Sequence, residues 1–332
     1  MQSPARANKA IFFLALWGLV VQLGLGSVLM VLGMDFMLLT GINQIVFLAI
    51  PFFLYLLITR QSIKKVLPWN GLSLKNTLLV VIISVAILPM VQLVFFLLSF
   101  IFAPIISDAL EAAKGAPMLL TLLCIGVLPS LFEEFWFRGI VFSEYRAAGV
   151  SILKTAIITG LFFGFMHMNF SQAIYAGLFG VLYAYIVYYT RSILAAVLAH
   201  FVNNGFSAVT LYLEPYQEWY GNLWETPSMF LLVMCIASIV MLPVLILCMR
   251  QLKRYHTSTA AACEPRMQSW ETGPRDDLQQ ETSAHAIAGT EAQPGAQAAA
   301  KPKVFTWGFW AATAIFFLMM LIVEVGARLM YV

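Results

Sequence analysis

Apolar runs long enough to cross a bilayer recur through this chain and constrain it more than any other feature. A transmembrane helix needs about 20 apolar residues. Nine stretches qualify: 10–33, 41–59, 77–105, 117–143, 151–168, 172–190, 193–212, 228–249 and 304–327. Only 11% of the 332 residues are charged and the mean hydropathy is +0.86, whereas a soluble domain is about 25% charged. The fold class predicted is all-α: a polytopic transmembrane helical bundle with an eight-helix core and a ninth, C-terminal span. The fifth and sixth spans are separated only by a polar turn near Met168-Asn169-Phe170-Ser171, and the sixth and seventh by Thr190-Arg191-Ser192.

Loop charges give the bundle a direction. Arg6 and Lys9, then Arg60, Lys64, Lys65 and Lys75, then Arg146 and Lys154, Arg191, and Arg250, Lys253 and Arg254 fall on every second side. The alternate loops hold Asp35, then Asp108, Glu111 and Lys114, then Glu214, Glu218 and Glu225. Basic residues mark the cytoplasmic side of short loops, so the amino terminus is expected inside. The charge of +3 is too small to point to nucleic acid. The basic flank and apolar run at the start resemble a signal peptide, but the run continues through Met34 and reads as an uncleaved first span. Cys124, Cys235, Cys248 and Cys263 have no metal-finger or disulfide spacing. The segment Leu211–Trp224 is rich in Tyr and Trp, as at a membrane interface. Residues 255–303, rich in Ala, Gln, Glu, Thr, Pro and Gly, read as a disordered cytoplasmic linker. The expected organisation is a membrane core over 1–254, that linker, and a C-terminal helix over 304–332. Glu324 and Arg328 are four apart on the last span and are placed to pair near the outer surface.

The fourth run contains LPSLFEEFWFRGIVF, with Glu133, Glu134 and Arg138 inside the apolar stretch. A charge at mid-bilayer costs roughly 2.5–3.5 kcal/mol on insertion scales, and such residues are read as functional by default. Glu134 and Arg138 share a helix face and can neutralise each other. Glu133 lies about 100° around the helix and can face another span. The chain has four histidines; His256 and His285 fall in the linker, and His167 and His200 fall in spans. Phe163 and His167 share a face, as do His200 and Asn204. These residue types suit hydrolysis: a glutamate as base to water, histidines sharing the proton work or binding a metal, and Asn and His donating to an oxyanion. The plain alternatives are polar glue between helices and a proton relay in a transporter, for which the apolar outer halves of most spans offer little path.

EEFWFR matches the EExxxR motif, FGFMH the FxxxH motif and HFVNN the HxxxN motif of the CaaX protease and bacteriocin-processing family (CPBP, formerly Abi), in the family's order and on separate spans. The resemblance covers about 118–210, and the family is similar to the Ras-converting CaaX prenyl endopeptidase. It implies an intramembrane endopeptidase in which Glu133 activates water and His167 assists. His200 and Asn204 would form the oxyanion hole, with Glu134 and Arg138 bracing the site. It leaves open a metalloprotease, with zinc held by Glu133, His167 and His200, and a metal-free, glutamate-dependent enzyme. The substrate implied is a peptide or membrane protein, with a prenylated CaaX end or a bacteriocin-like leader as options. The second reading is a non-catalytic immunity or scaffold protein binding a peptide or a partner complex. The setting is the lipid bilayer, as a multi-pass protein of a bacterial plasma membrane. One tension remains: counted at about 1.5 Å per residue from the inner ends, Glu133 lies about 18 Å deep, His167 about 24 Å and His200 about 11 Å. Those depths meet only if helices tilt or the turn between the fifth and sixth spans is sunk in the membrane.

Overall fold

The computed structural model describes residues 3–103, 105, 112–262 and 302–330. Among these there is no strand, and the bundle is built from helices α1 (Pro4–Gly26), α2 (Phe36–Thr59), α3 (Leu74–Ser99), α4 (Met118–Ala147), α5 (Ile152–Phe165), α6 (Phe170–Thr190), α7 (Ile193–Thr210), α8 (Glu214–Trp224), α9 (Pro227–Ala262) and α10 (Trp307–Met330). Eight of them are long and apolar enough to cross a membrane. The protein is therefore an integral, multi-pass helical bundle.

The fifth expected span is the exception. The sequence reading gives 151–168, but α5 has 14 residues, about 21 Å of helix against a hydrocarbon core of about 30 Å. Met168 takes a left-handed conformation with φ 58°. Asn169 then starts α6 by accepting the Gln172 amide at 2.8 Å. The reversal is buried: Met166, Met168 and Asn169 are each 6% exposed or less. The α5–α6 hairpin therefore turns back inside the protein. It is packed backbone to backbone, because Gly160, Gly164 and Gly180 bring no side chain between the helices. A Cβ on Gly164 would lie 2.1 Å from the Ala173 carbonyl oxygen, and one on Gly180 would lie 2.6 Å from the Gly160 Cα.

The start of α7 is also covered, for a different reason. The chain after α2 folds under its amino-terminal end: the Ile193 amide donates to the Pro68 carbonyl at 2.9 Å, and Asn70 donates to the Arg191 carbonyl at 2.5 Å. Ser192 and Ile193 are consequently fully buried. With the hairpin turn buried and this helix end covered, His167 and His200 both reach Glu133.

One end of the bundle gathers basic side chains. Arg6 pairs with Glu144 at 3.3 Å, Lys75 lies over the Tyr255 ring and Arg146 over the Tyr188 ring. At the opposite end Tyr212 donates to the Ala116 carbonyl and Tyr220 to Gln92. Glu324 and Arg328 pair at 2.7 Å, as their spacing predicts. They also hold the chain after α3, Glu324 accepting the Ala103 amide and Arg328 donating to the Ile101 carbonyl.

α10 is packed into the main core. Phe309 and Phe316, 5% and 0% exposed, sit in one cluster with Phe162 of α5 and Ile11 and Leu14 of α1. Of the expected linker, residues 263–301 lie outside the described residues, and residues 255–262 are helical, continuing α9 to Ala262.

Candidate active site

The buried charges of α4 lie between and within two departures from regular α-helix. Pro129 has no N–H to give the Ile125 carbonyl one α-turn back, and that stretch, Leu122–Val127, is wound as a π-turn. The side chain of Asn204 on α7 donates to the Ile125 carbonyl at 3.0 Å, which docks the two helices. A second π-turn, Phe135–Val141, carries Arg138. Such wide turns occur often at functional sites.

Glu134 and Arg138 are both fully buried and pair at 2.9 Å. The guanidinium also donates to the Gly180 carbonyl of α6 at 2.8 Å and lies over the Phe163 ring, 4.4 Å from its centroid. The same Glu134 oxygen that meets Arg138 accepts from His200 Nδ1 at 2.9 Å. One buried carboxylate thereby holds Arg138 of its own helix and orients His200 of α7.

Both histidines are fixed as the same tautomer. The Phe163 carbonyl is only an acceptor, so His167 Nδ1, 2.9 Å away, must carry the hydrogen. The Glu134 carboxylate, held by Arg138, imposes the same on His200. With the rings neutral, each Nε2 carries a lone pair, and both nitrogens lie within 4 Å of Glu133. His167 Nε2 is 3.8 Å and His200 Nε2 is 3.9 Å from Glu133 Oε2. Glu133, 4% exposed, is thus met from α5 and α7 by groups that offer no hydrogen to it. The Phe163 ring packs edge-on against both imidazoles, so the FxxxH spacing supplies a carbonyl and a wall.

The structure therefore brings Glu133, Glu134, Arg138, His167 and His200 into one cluster, with Asn204 beside it. Two further residues escaped the sequence reading. Tyr183 of α6, 1% exposed, lies against His200 with centroids 5.5 Å apart. Its hydroxyl accepts from Asn203 at 3.1 Å, leaving its own hydrogen free to donate. Asn203 was visible as the neighbour of Asn204, but Tyr183 follows no spacing that links it to the motifs. Outside this cluster opens a cavity of about 470 Å³, with His167, His200, Asn203, Asn204 and Tyr183 at its inner end and Tyr216, Gln217, Tyr220 and Trp224 of α8 at the other.

Residues 115–206 match the family model of type II CAAX prenyl endopeptidase Rce1-like proteins. This segment is similar to Rce1-like proteins. It holds every residue of the cluster described above and covers less than a third of the chain. The match agrees with the resemblance to CPBP proteases. No curated protein and no solved structure matches the chain. The matched family is described as one of endopeptidases, a class that acts on peptides.

Zinc at Glu133, His167 and His200 can be tested against donor geometry. Zinc bonds of about 2.0–2.2 Å in a tetrahedral shell hold neighbouring donors closer than the 3.8 and 3.9 Å between Glu133 and the histidines. Among the described residues no group of three or more His, Cys, Asp or Glu is arranged to hold a metal ion. As placed, these donors stand slightly wider apart than in a tetrahedral zinc shell, and no step below is routed through a metal.

Proposed function

We propose that the protein is an intramembrane endopeptidase in which Glu133 activates a water molecule against a peptide carbonyl. The observation that carries this is the convergence of two Nε2 lone pairs, from α5 and α7, on one oxygen of Glu133. Three acceptors facing one another are completed by a donor, and water brings two O–H groups. Held there, water gives a proton to Glu133 as its oxygen attacks the carbonyl carbon. The leaving amine then takes that proton back from the carboxyl group. The oxyanion needs donors. An Asn amide has two N–H bonds; Asn204 spends one on Ile125 and has the other for the substrate, and the Tyr183 hydroxyl lines the same cavity. His200 can give a hydrogen bond from Nε2 only after taking a proton there, because its neutral N–H is engaged by Glu134. Glu134 and Arg138 act as positioning residues, setting the tautomer and aim of His200.

The substrate is a peptide or membrane-protein segment. The test compares peptides from host membranes and medium by quantitative mass spectrometry, with wild-type protein or Glu133→Gln at equal abundance. The expected result is a fragment made only by wild type, with its uncut precursor accumulating in the variant. Identical profiles, with the host phenotype retained, would sink the protease reading and leave an immunity or scaffold protein that tolerates the substitution.

A further inference from the structure

The cavity has a direction, and the direction bears on what can be cut. From its inner end it follows α7 outward past Ser207, Thr210 and Leu211 to α8 and Glu225. This is the end of the bundle where Tyr212 meets Ala116 and Tyr220 meets Gln92. It is opposite the end that gathers Arg6, Arg60, Lys64, Lys65, Arg146 and Arg191. Toward that basic end the cluster is sealed: Trp136, Phe137, Ile140, Val141 and Phe142 of α4 are each 1% exposed or less, and Leu67, Ser192 and Ile193 close the floor. Short loops rich in Lys and Arg mark the cytoplasmic side of a membrane protein.

We infer that the peptide reaches Glu133 from the non-cytoplasmic face, through the aromatic cavity under α8, so that the substrates are extended segments of exported or membrane-anchored chains, not cytosolic tails. The walls suit such a segment. Phe95, Tyr175 and Trp224 form an aromatic row, and Gln92, Gln172 and Ser207 add polar groups along the same cavity for an unpaired peptide backbone. A volume of about 470 Å³ lies within the range of about 300–1,000 Å³ usual for ligand sites. This inference deepens the proposed protease site, and its substrate class rests on that reading; the direction of access does not depend on cleavage.

The experiment uses the full chain with Cys124, Cys235, Cys248 and Cys263 replaced by Ser, and one new cysteine at a time. Ser207→Cys reads the cavity. Gly221→Cys reads its roof, where an added Cβ meets no atom within 4 Å. Lys64→Cys reads the basic end. Right-side-out and inverted membrane vesicles are treated with a membrane-impermeant maleimide. The expected result is labelling of 207 and 221 in right-side-out vesicles only, and of 64 in inverted vesicles only. Labelling of 207 from the same side as 64 overturns the inference, and so does a 207 that reacts from neither side while 221 reacts, since the path would then run through lipid. Should Ser207→Cys fail to accumulate, Gln92→Cys reads the cavity from the α3 wall. Failure of the Glu133→Gln comparison would leave these labelling patterns untouched, so the two readings fall separately.

Discussion

At the scale of the residue, the site depends on hydrogens more than on charges. Glu134 directs the one N–H of neutral His200 away from Glu133, and Phe163 does the same for His167. Donors for a developing oxyanion must come from elsewhere, and Tyr183 is placed to be one. Tyr183→Phe keeps the ring against His200 and removes only the hydroxyl. Loss of one oxyanion donor costs about 10²–10³ in kcat in a well-studied protease, so a fall of about 10²-fold in kcat is expected, with KM and membrane abundance little changed. Steady-state cleavage of the precursor identified by mass spectrometry checks it; unchanged kcat would remove Tyr183 from the chemistry. The same assay addresses metal: a water activated by Glu133 alone needs none, so cleavage is expected to survive prolonged chelation undiminished. Spacing made much of this cluster legible. Glu134 and Arg138 four apart predicted their pair, and EExxxR, FxxxH and HxxxN named six of its residues. Spacing tells which side chains share a face but not what faces them, so the bridge from Glu134 to His200 and the place of Tyr183 stayed hidden.

At the scale of the element, the depth of His167 is set by glycine. The α5–α6 hairpin sinks its turn into the protein because its helices touch through backbone at Gly160, Gly164 and Gly180. Small residues let membrane helices approach this closely. Gly164→Ala would force a methyl against the Ala173 carbonyl and spread the hairpin; overpacking of this kind costs about 1–3 kcal/mol. Gly177→Ala meets only the Gly160 carbonyl oxygen at 3.5 Å, an ordinary contact, and serves as the control. The expected outcome is a lower thermal midpoint and reduced cleavage for Gly164→Ala, and near wild-type behaviour for Gly177→Ala. Equal behaviour of the two would show that backbone contact does not set the turn. Apolar length alone could not reveal the short α5: residues 151–168 are as apolar as a true span, and the early reversal is made by Met168 in a left-handed turn and Asn169 as a cap.

At the scale of the whole molecule, the bundle closes on itself through its last helix. The linker composition makes 304–332 read as an addition to an eight-span core, but Phe309 and Phe316 share a core with α1 and α5, and Glu324 holds the chain after α3. Removing residues 263–332 is therefore expected to expose Ile11, Leu14 and Phe162 and to lower the amount of folded protein sharply, as read by detergent-solution gel filtration of the truncated chain. A truncation that stays monodisperse and cleaves at the wild-type rate would show that α10 is dispensable. The membrane class, the helical fold and the gathering of basic loops at one end were all legible, because each follows from composition over many residues. The docking of α10 was not, because it rests on a few aromatic side chains meeting partners about 150–300 positions away.

One buried amide gives that closure a time. Asn8, fully buried, donates to the Val304 carbonyl and the Thr306 hydroxyl and accepts from Tyr145. Synthesis runs at about 5–20 residues per second, so the first helix waits on the order of tens of seconds between its own insertion and the arrival of these partners. Through that interval the Asn8 amide hydrogens on the first helix wait without their final acceptors, so this end of the bundle is finished only when the last helix arrives.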